Sequence, residues 1–221
     1  MRLTESDLVG LFDRFEHGRE AERSAGLLAA LCPERTVGDV SLGDRDRLFL
    51  KARREQFGAR GVQAKVQCGG CGEWMSLDLG AGFTLPPKVS DTAQVTFEGT
   101  AYTLRLPCQD DLLRTQGGQF PMALLCPDAP WESDAFCQAA EAALDAADPG
   151  LDLVFDLTCP ECGDQTECGL DTLDFLWRDV EACALRFFAD VGVLARAFGW
   201  SEAETAALSP RRRRRYVEMV T

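Results

Sequence analysis

Ten cysteines stand in this 221-residue chain, and four of them come as two close pairs, Cys68-Gly-Gly-Cys71-Gly and Cys159-Pro-Glu-Cys162-Gly. Two cysteines separated by two residues can turn back and aim both sulfurs at one ion. The glycine after the second cysteine removes a Cβ where such a turn needs positive φ. It also lets amide N–H groups approach the sulfurs and offset their charge. Two knuckles of this kind supply four soft ligands in a tetrahedron, which suits zinc. The expectation is one structural Zn2+ per chain, held by Cys68, Cys71, Cys159 and Cys162.

With four cysteine ligands the site is closed. A catalytic zinc keeps an open position and usually counts a histidine or carboxylate among its ligands. The one histidine, His17, falls on a charged helix and reads as a surface residue. No phosphate-binding loop, nucleophile elbow or metalloprotease helix motif occurs. No catalytic residue is expected. Asp110 and Asp111 open a short helix, where acidic residues suit the dipole. Two other readings of the pairs are unrelated cysteine turns and a redox pair. The second needs a helix N-terminus to lower a thiol pKa, whereas both pairs fall at hairpin tips. Cys168 could replace a ligand, at a less apt spacing. Cys32, Cys108, Cys126, Cys137 and Cys183 read as small core residues.

The elements that must position the knuckles follow from the apolar pattern. Residues 5–31 and 44–57 read as helical, the second closed by Gly58. Residues 64–68 and 74–79 alternate about the first knuckle and form a hairpin. Residues 95–97 and 102–106 form a second hairpin, and 133–147 a helix. Residues 151–157 lead into the second knuckle, and 164–168 lead out of it. The strongest helical stripe starts at Leu173 and runs to Phe198, roughly 40 Å at 1.5 Å per residue. Ser201 to Glu204 is a capping box, and Ser209-Pro210 opens a last helix.

The fold class expected is α+β. It comprises a zinc-ribbon-like β core made from two distant knuckles, an inserted hairpin-helix segment and a C-terminal helical module. The divisions are 1–60 for the N-terminal helices, 61–170 for the core with its insertion at 81–150, and 171–221 for the C-terminal module. The 87 residues between Cys71 and Cys159 do not forbid one site, because loop-closure cost grows only as the logarithm of length.

Net charge is −13. Residues 211–221 carry five Arg and one Glu, so the remaining 210 residues carry −17. Such a body repels a phosphate backbone, which argues against nucleic acid or a membrane surface as partner. No apolar run is long enough to span a bilayer, and none follows the N-terminus as a signal peptide would. A cytoplasmic location is expected, with reduced thiols. The arginines of 211–215 read as a solvated helix face, with Tyr216 and Met219 or Val220 packing inward; contact with an acidic partner or with the protein's own acidic body is the alternative.

The C-terminal third carries a resemblance. Asp174-Phe-Leu-Trp177 opens the long helix, which runs into Leu194-Ala-Arg-Ala-Phe-Gly-Trp-Ser-Glu-Ala-Glu204. Leu208-Ser-Pro-Arg-Arg-Arg-Arg-Arg-Tyr216 follows. With Leu104-Arg-Leu-Pro107 before Asp110-Asp111-Leu112, and Gly43-Asp-Arg-Asp-Arg-Leu-Phe-Leu50, this resembles the baseplate hub assembly chaperone family of T-even-like phages. The resemblance extends to bacterial members associated with contractile phage-tail-like injection systems. It covers most of the chain, least at 110–150. Two positions depart from the family pattern: Gly69 stands where proline is usual, and Val191-Gly192-Val193 where a histidine is expected.

The resemblance implies a non-enzymatic assembly factor that binds a baseplate hub or wedge protein. Its contact surface is expected around Trp177, Phe187, Phe188, Phe198 and Trp200, with Trp177 and Phe187 reading equally well as core residues between helix and ribbon. The competing readings are a zinc-ribbon nucleic-acid-binding or transcription-related adaptor, and a permanent structural baseplate subunit.

Overall fold

The computed structural model describes residues 2–58, 61–115 and 120–221. The boundary drawn at residue 60 lies outside them. Within them the chain mixes helices with three separate two-stranded antiparallel sheets, as an α+β chain should.

Three helices open the chain: α1 (Glu5–Phe15), α2 (Glu20–Leu31) and α3 (Leu42–Phe57). The single helical stretch expected over 5–31 is thus two helices. Thr4 and Asp7 close a capping box at the start of α1, and Arg19 and Glu22 close another at the start of α2. The Arg23 Nε–H donates to the Phe15 carbonyl at 3.1 Å. It thereby satisfies an acceptor that the end of α1 leaves free.

These helices pack on α6 (Thr172–Phe198), the long helix foreseen from the apolar stripe. Leu8 and Phe12 of α1, Leu27 and Leu28 of α2, and Phe49 of α3 share one core with Leu173, Leu176, Trp177, Val180 and Phe187 of α6. The chain's first and last helical stretches therefore build a single packed unit. Arg53 of α3 adds an ion pair to Asp179 of α6 at 2.6 Å. After α6, Gly199 takes the left-handed conformation at φ 71°. The short α7 (Glu202–Ala206) and α8 (Pro210–Glu218) follow, each with the serine cap anticipated.

The insertion builds a second core. Strands β3 (Thr92–Phe97) and β4 (Thr100–Arg105) pair in register from Thr92↔Arg105 to Phe97↔Thr100. They lie against α5 (Asp134–Ala147). Phe136 is fully buried there, with the rings of Phe97, Tyr102 and Trp131 edge-on to it at 5.6, 5.2 and 5.1 Å. Edge-to-face pairs favour such a cluster beyond the apolar area they bury.

The two ends of this insertion meet. The Val89 and Ser90 amides both donate to the Ala147 carbonyl, at 2.9 and 3.0 Å. Arg47 of α3 donates to the Pro86 carbonyl at 2.7 Å and pairs with the fully buried Asp148. The segment leaves and returns at one neck, clamped to α3. Gly43 is required there, because a Cβ at that position would lie 2.1 Å from Asp148 Oδ2.

A second tie runs through α4 (Gln109–Arg114). Buried Gln109 accepts from the Ser24 hydroxyl at 2.6 Å and donates to the Ala21 carbonyl at 2.9 Å. Asp111 does more than suit a helix dipole. Its carboxylate takes both Arg105 Nη groups, at 2.6 and 2.7 Å, and the Cys108 amide at 2.9 Å. Burial alone would push its pKa up, but the Arg105 fork and the Cys108 N–H hold it below the usual carboxylate value.

A depressed folded pKa contributes stability that is present above the unfolded value, about 3.9, and is lost as pH falls through the folded one. Asp111→Asn is therefore expected to lower stability at neutral pH by about 2 kcal/mol. It should also flatten the loss of stability below about pH 4. Urea melts of both proteins across that range check this; equal slopes would contradict it.

Candidate metal centre

Each knuckle sits at the tip of its own hairpin. β1 (Val62–Gln67) and β2 (Trp74–Leu79) flank the first, and β5 (Val154–Thr158) and β6 (Gln165–Gly169) the second. Register runs from Val62↔Leu79 to Gln67↔Trp74 in one hairpin, and from Val154↔Gly169 to Thr158↔Gln165 in the other. The chain closes both tips with the same bonds. The Cys68 amide donates to the Glu73 carbonyl at 2.8 Å, and the Gly72 amide to the Cys68 carbonyl at 3.0 Å. In the second knuckle Cys159 donates to Asp164 at 2.8 Å, and Gly163 to Cys159 at 2.9 Å. Gly72 and Gly163 both have φ 77°, the left-handed region that a side chain disfavours.

The two tips face each other and bring together the four cysteines picked out by spacing. All four Sγ atoms lie within 4.8 Å of one another. Across the knuckles, Cys68 and Cys162 are 3.5 Å apart and Cys71 and Cys159 are 3.6 Å apart. A tetrahedron with metal–sulfur bonds near 2.3 Å has edges of about 3.8 Å. The donor set and its dimensions fit one tetrahedral ion. Cys68 and Cys159 are buried over a small apolar floor of Met75, Val66 and Leu157, whereas Cys71 and Cys162 face outward.

Thiol electrostatics fit the same picture. The Cys71 amide N–H, with that of Gly70, draws the Cys68 pKa down to about 6. For Cys71 the Glu73 amide works to lower the value, yet the neighbouring sulfurs of Cys162 and Cys159 push it up to about 12. Cys162 is also raised, despite the Asp164 amide that favours its thiolate. Sulfurs this close cannot all ionise without a cation among them. A dication bound there would supply that charge, and the amides would then form the outer layer that orients and neutralises the ligands.

The remaining candidates fall elsewhere. Cys168 is buried in β6 with its sulfur 3.8 Å from the Gly169 carbonyl, outside the cluster. His17 is a surface residue beside Glu16 at 3.4 Å, its side chain 92% exposed. Gly69 directs its amide at Thr166 Oγ1 of the opposite hairpin at 3.4 Å. A proline has no hydrogen to place there. The two knuckle hairpins do not join into one sheet. Their tips meet at the cysteine cluster, so the two hairpins face each other across four sulfurs.

In two places the structure decides between the readings the residues allowed. Trp177 and Phe187 are core residues, 6% and 5% exposed, and Phe188 packs against the same core. Of the aromatic residues proposed as a contact surface, Phe198 and Trp200 remain accessible. The arginine run is not wholly solvated either. Arg213 is 2% exposed, and its guanidinium pairs with Glu5 of α1 and Asp190 of α6 while lying over the Phe187 ring at 5.0 Å. Tyr216 is half-buried, but Met219 and Val220 point outward. The inward arginine was legible in the run itself. Five consecutive helical positions span about 400°, more than a full turn, so one of them must face the body.

Among the described residues no helix is long and apolar enough to cross a membrane. No family model, curated protein or solved structure matches the chain.

Proposed function

We propose that this chain is a zinc-binding assembly factor that works by binding alone, on a hub or wedge protein of a contractile tail baseplate, in the cytoplasm. The observation that carries the metal is the four-sulfur cluster itself: four thiols at tetrahedral spacing, with no histidine or carboxylate among them. Zinc is the ion that thiolate tetrahedra favour. Cys68, Cys71, Cys159 and Cys162 would hold it, and its role is to fasten the two hairpins to each other.

The assembly role rests on the sequence resemblance through residues 174–216 and 43–50. The geometry is compatible with it in one further respect. The open depression of about 620 Å3 beside α4 is lined by charges most of which pair with one another. Lys88 meets Asp44 and Asp91, and Arg105 meets Asp111. Those charges are spent on structure rather than held for acid, base or nucleophile work.

Deletion of the gene tests the role. Sheath and tube proteins should still be made, while electron microscopy shows particles that lack baseplates or fail to form. Normal contractile particles in the deletion strain would overturn the proposal and favour a zinc-ribbon adaptor that binds nucleic acid. The protein's presence in purified particles would instead make it a permanent baseplate subunit.

A further inference from the structure

The arginine run of α8 has one member with a structural task. Arg213 is buried and doubly paired, and it fixes how the helix is turned. At about 100° per residue this places Arg211 and Arg215 on the far side and Arg214 on one flank. Arg212 falls on the flank it shares with Tyr216 and Met219, at i, i+4 and i+7. All four of these arginines are exposed. Among the described residues none of the four has a carboxylate within ion-pair distance. That is notable in a chain with 36 acidic residues against 23 basic ones. Arg211 and Arg212, in the first turn, also oppose the helix dipole, whereas Arg215 in the last turn suits it. Helix stability therefore does not account for Arg211 and Arg212.

Beside them lies an aromatic cluster. Phe198 stacks on Trp200 at 4.9 Å, and Tyr216 stands edge-on to Trp200 at 5.1 Å. Phe198 is 41% exposed and Met219 73%. A cationic helix face thus borders an accessible apolar edge, in a protein whose remaining surface is acidic.

We propose that this face of α8, bordered by Phe198, Trp200 and Met219, is the docking surface for an acidic amphipathic segment of the partner protein. Carboxylates of that segment would take the free guanidinium forks, which suit bidentate pairing. An apolar side chain would cover the aromatic edge. Charge complementarity selects this occupant, because opposed potentials steer encounter and fix orientation. A nucleic acid fits less well. The body at −17 repels a phosphate chain that runs beyond the helix, and Phe198 and Trp200 already stack on each other rather than standing open for bases. The inference rests on the assembly-factor proposal and names the part of the chain that meets the partner.

The test uses the full-length zinc-loaded protein and a labelled helical peptide with a glutamate face and a leucine stripe. Wild type should bind the peptide at low salt and lose it as salt rises. Charge reversal at Arg211, Arg212 and Arg215 together should weaken binding at least about tenfold without moving the melting temperature. Phe198→Ala should weaken it at any salt. Equal binding by wild type and the charge-reversed protein overturns the inference. So does tighter binding of oligo-dT than of the peptide, or salt-sensitive self-association that the reversal abolishes, which would make a second copy the occupant. The same variant, returned to the deletion strain, separates the two proposals. Particles restored by the variant leave the assembly role standing and remove α8 from it. Particles that never needed the gene remove the assembly role, and the peptide titration still judges α8.

Discussion

Cys159→Ser is expected to lower the melting temperature by roughly 10 °C, from a loss of about 3–4 kcal/mol in a chain of this size, and to release the metal. Four thiolates bind an ion so tightly that in isolated fingers the binding energy, on the order of 10 kcal/mol, is the folding energy. Here the loss is partial, because the two large apolar cores lie outside the knuckles. Cys159 is one of the two buried cysteines of the cluster, so solvent cannot simply take the place of the lost sulfur. Elemental analysis beside thermal melts checks both halves. Wild type purified without chelator should carry one zinc per chain, and its absence would sink the metal site.

Arg213→Gln is the second large effect. It leaves Glu5 and Asp190 facing each other without their cation, in a setting where the two carboxylates are 23% and 19% exposed. Removing one partner of a buried ion pair strands the other, here at a cost of about 3 kcal/mol. Arg212→Gln, one residue away on an exposed position, should change stability by less than about 0.5 kcal/mol. Urea denaturation of the two variants side by side gives the comparison. Similar small effects would show that α8 is not fastened through Arg213.

The contrast between those neighbours marks where the sequence could be read and where it could not. Ligand spacing is local chemistry, so the two knuckles, their hairpins and their glycines were legible residue by residue. Caps at Ser201 and Ser209 and the long α6 stripe were legible for the same reason: each lies within a turn or a few turns of its cause. The break between α1 and α2 was not, because the apolar residues of 5–31 suit two packed helices as well as one long one. Which aromatics of α6 face the core depends on where α1, α2 and α3 lie, and no spacing within α6 reveals that. Asp111 looked like a dipole residue until Arg105, six positions earlier on another element, was seen to face it. Partners distant in sequence are what a linear reading lacks.

The neck at Arg47 changes how the metal site should be thought of. Measured along the chain, the two knuckles are far apart, but Arg47, Pro86, the Ala147 carbonyl and Asp148 hold both ends of the intervening segment at one place. What separates the cysteine pairs is therefore two short arms, and the pairs meet at a high effective concentration fixed by the neck. The affinity of an ion held there would thus depend on residues that never touch a sulfur. By thermodynamic reciprocity such an ion would tighten the neck by the same free energy that the neck lends to its binding.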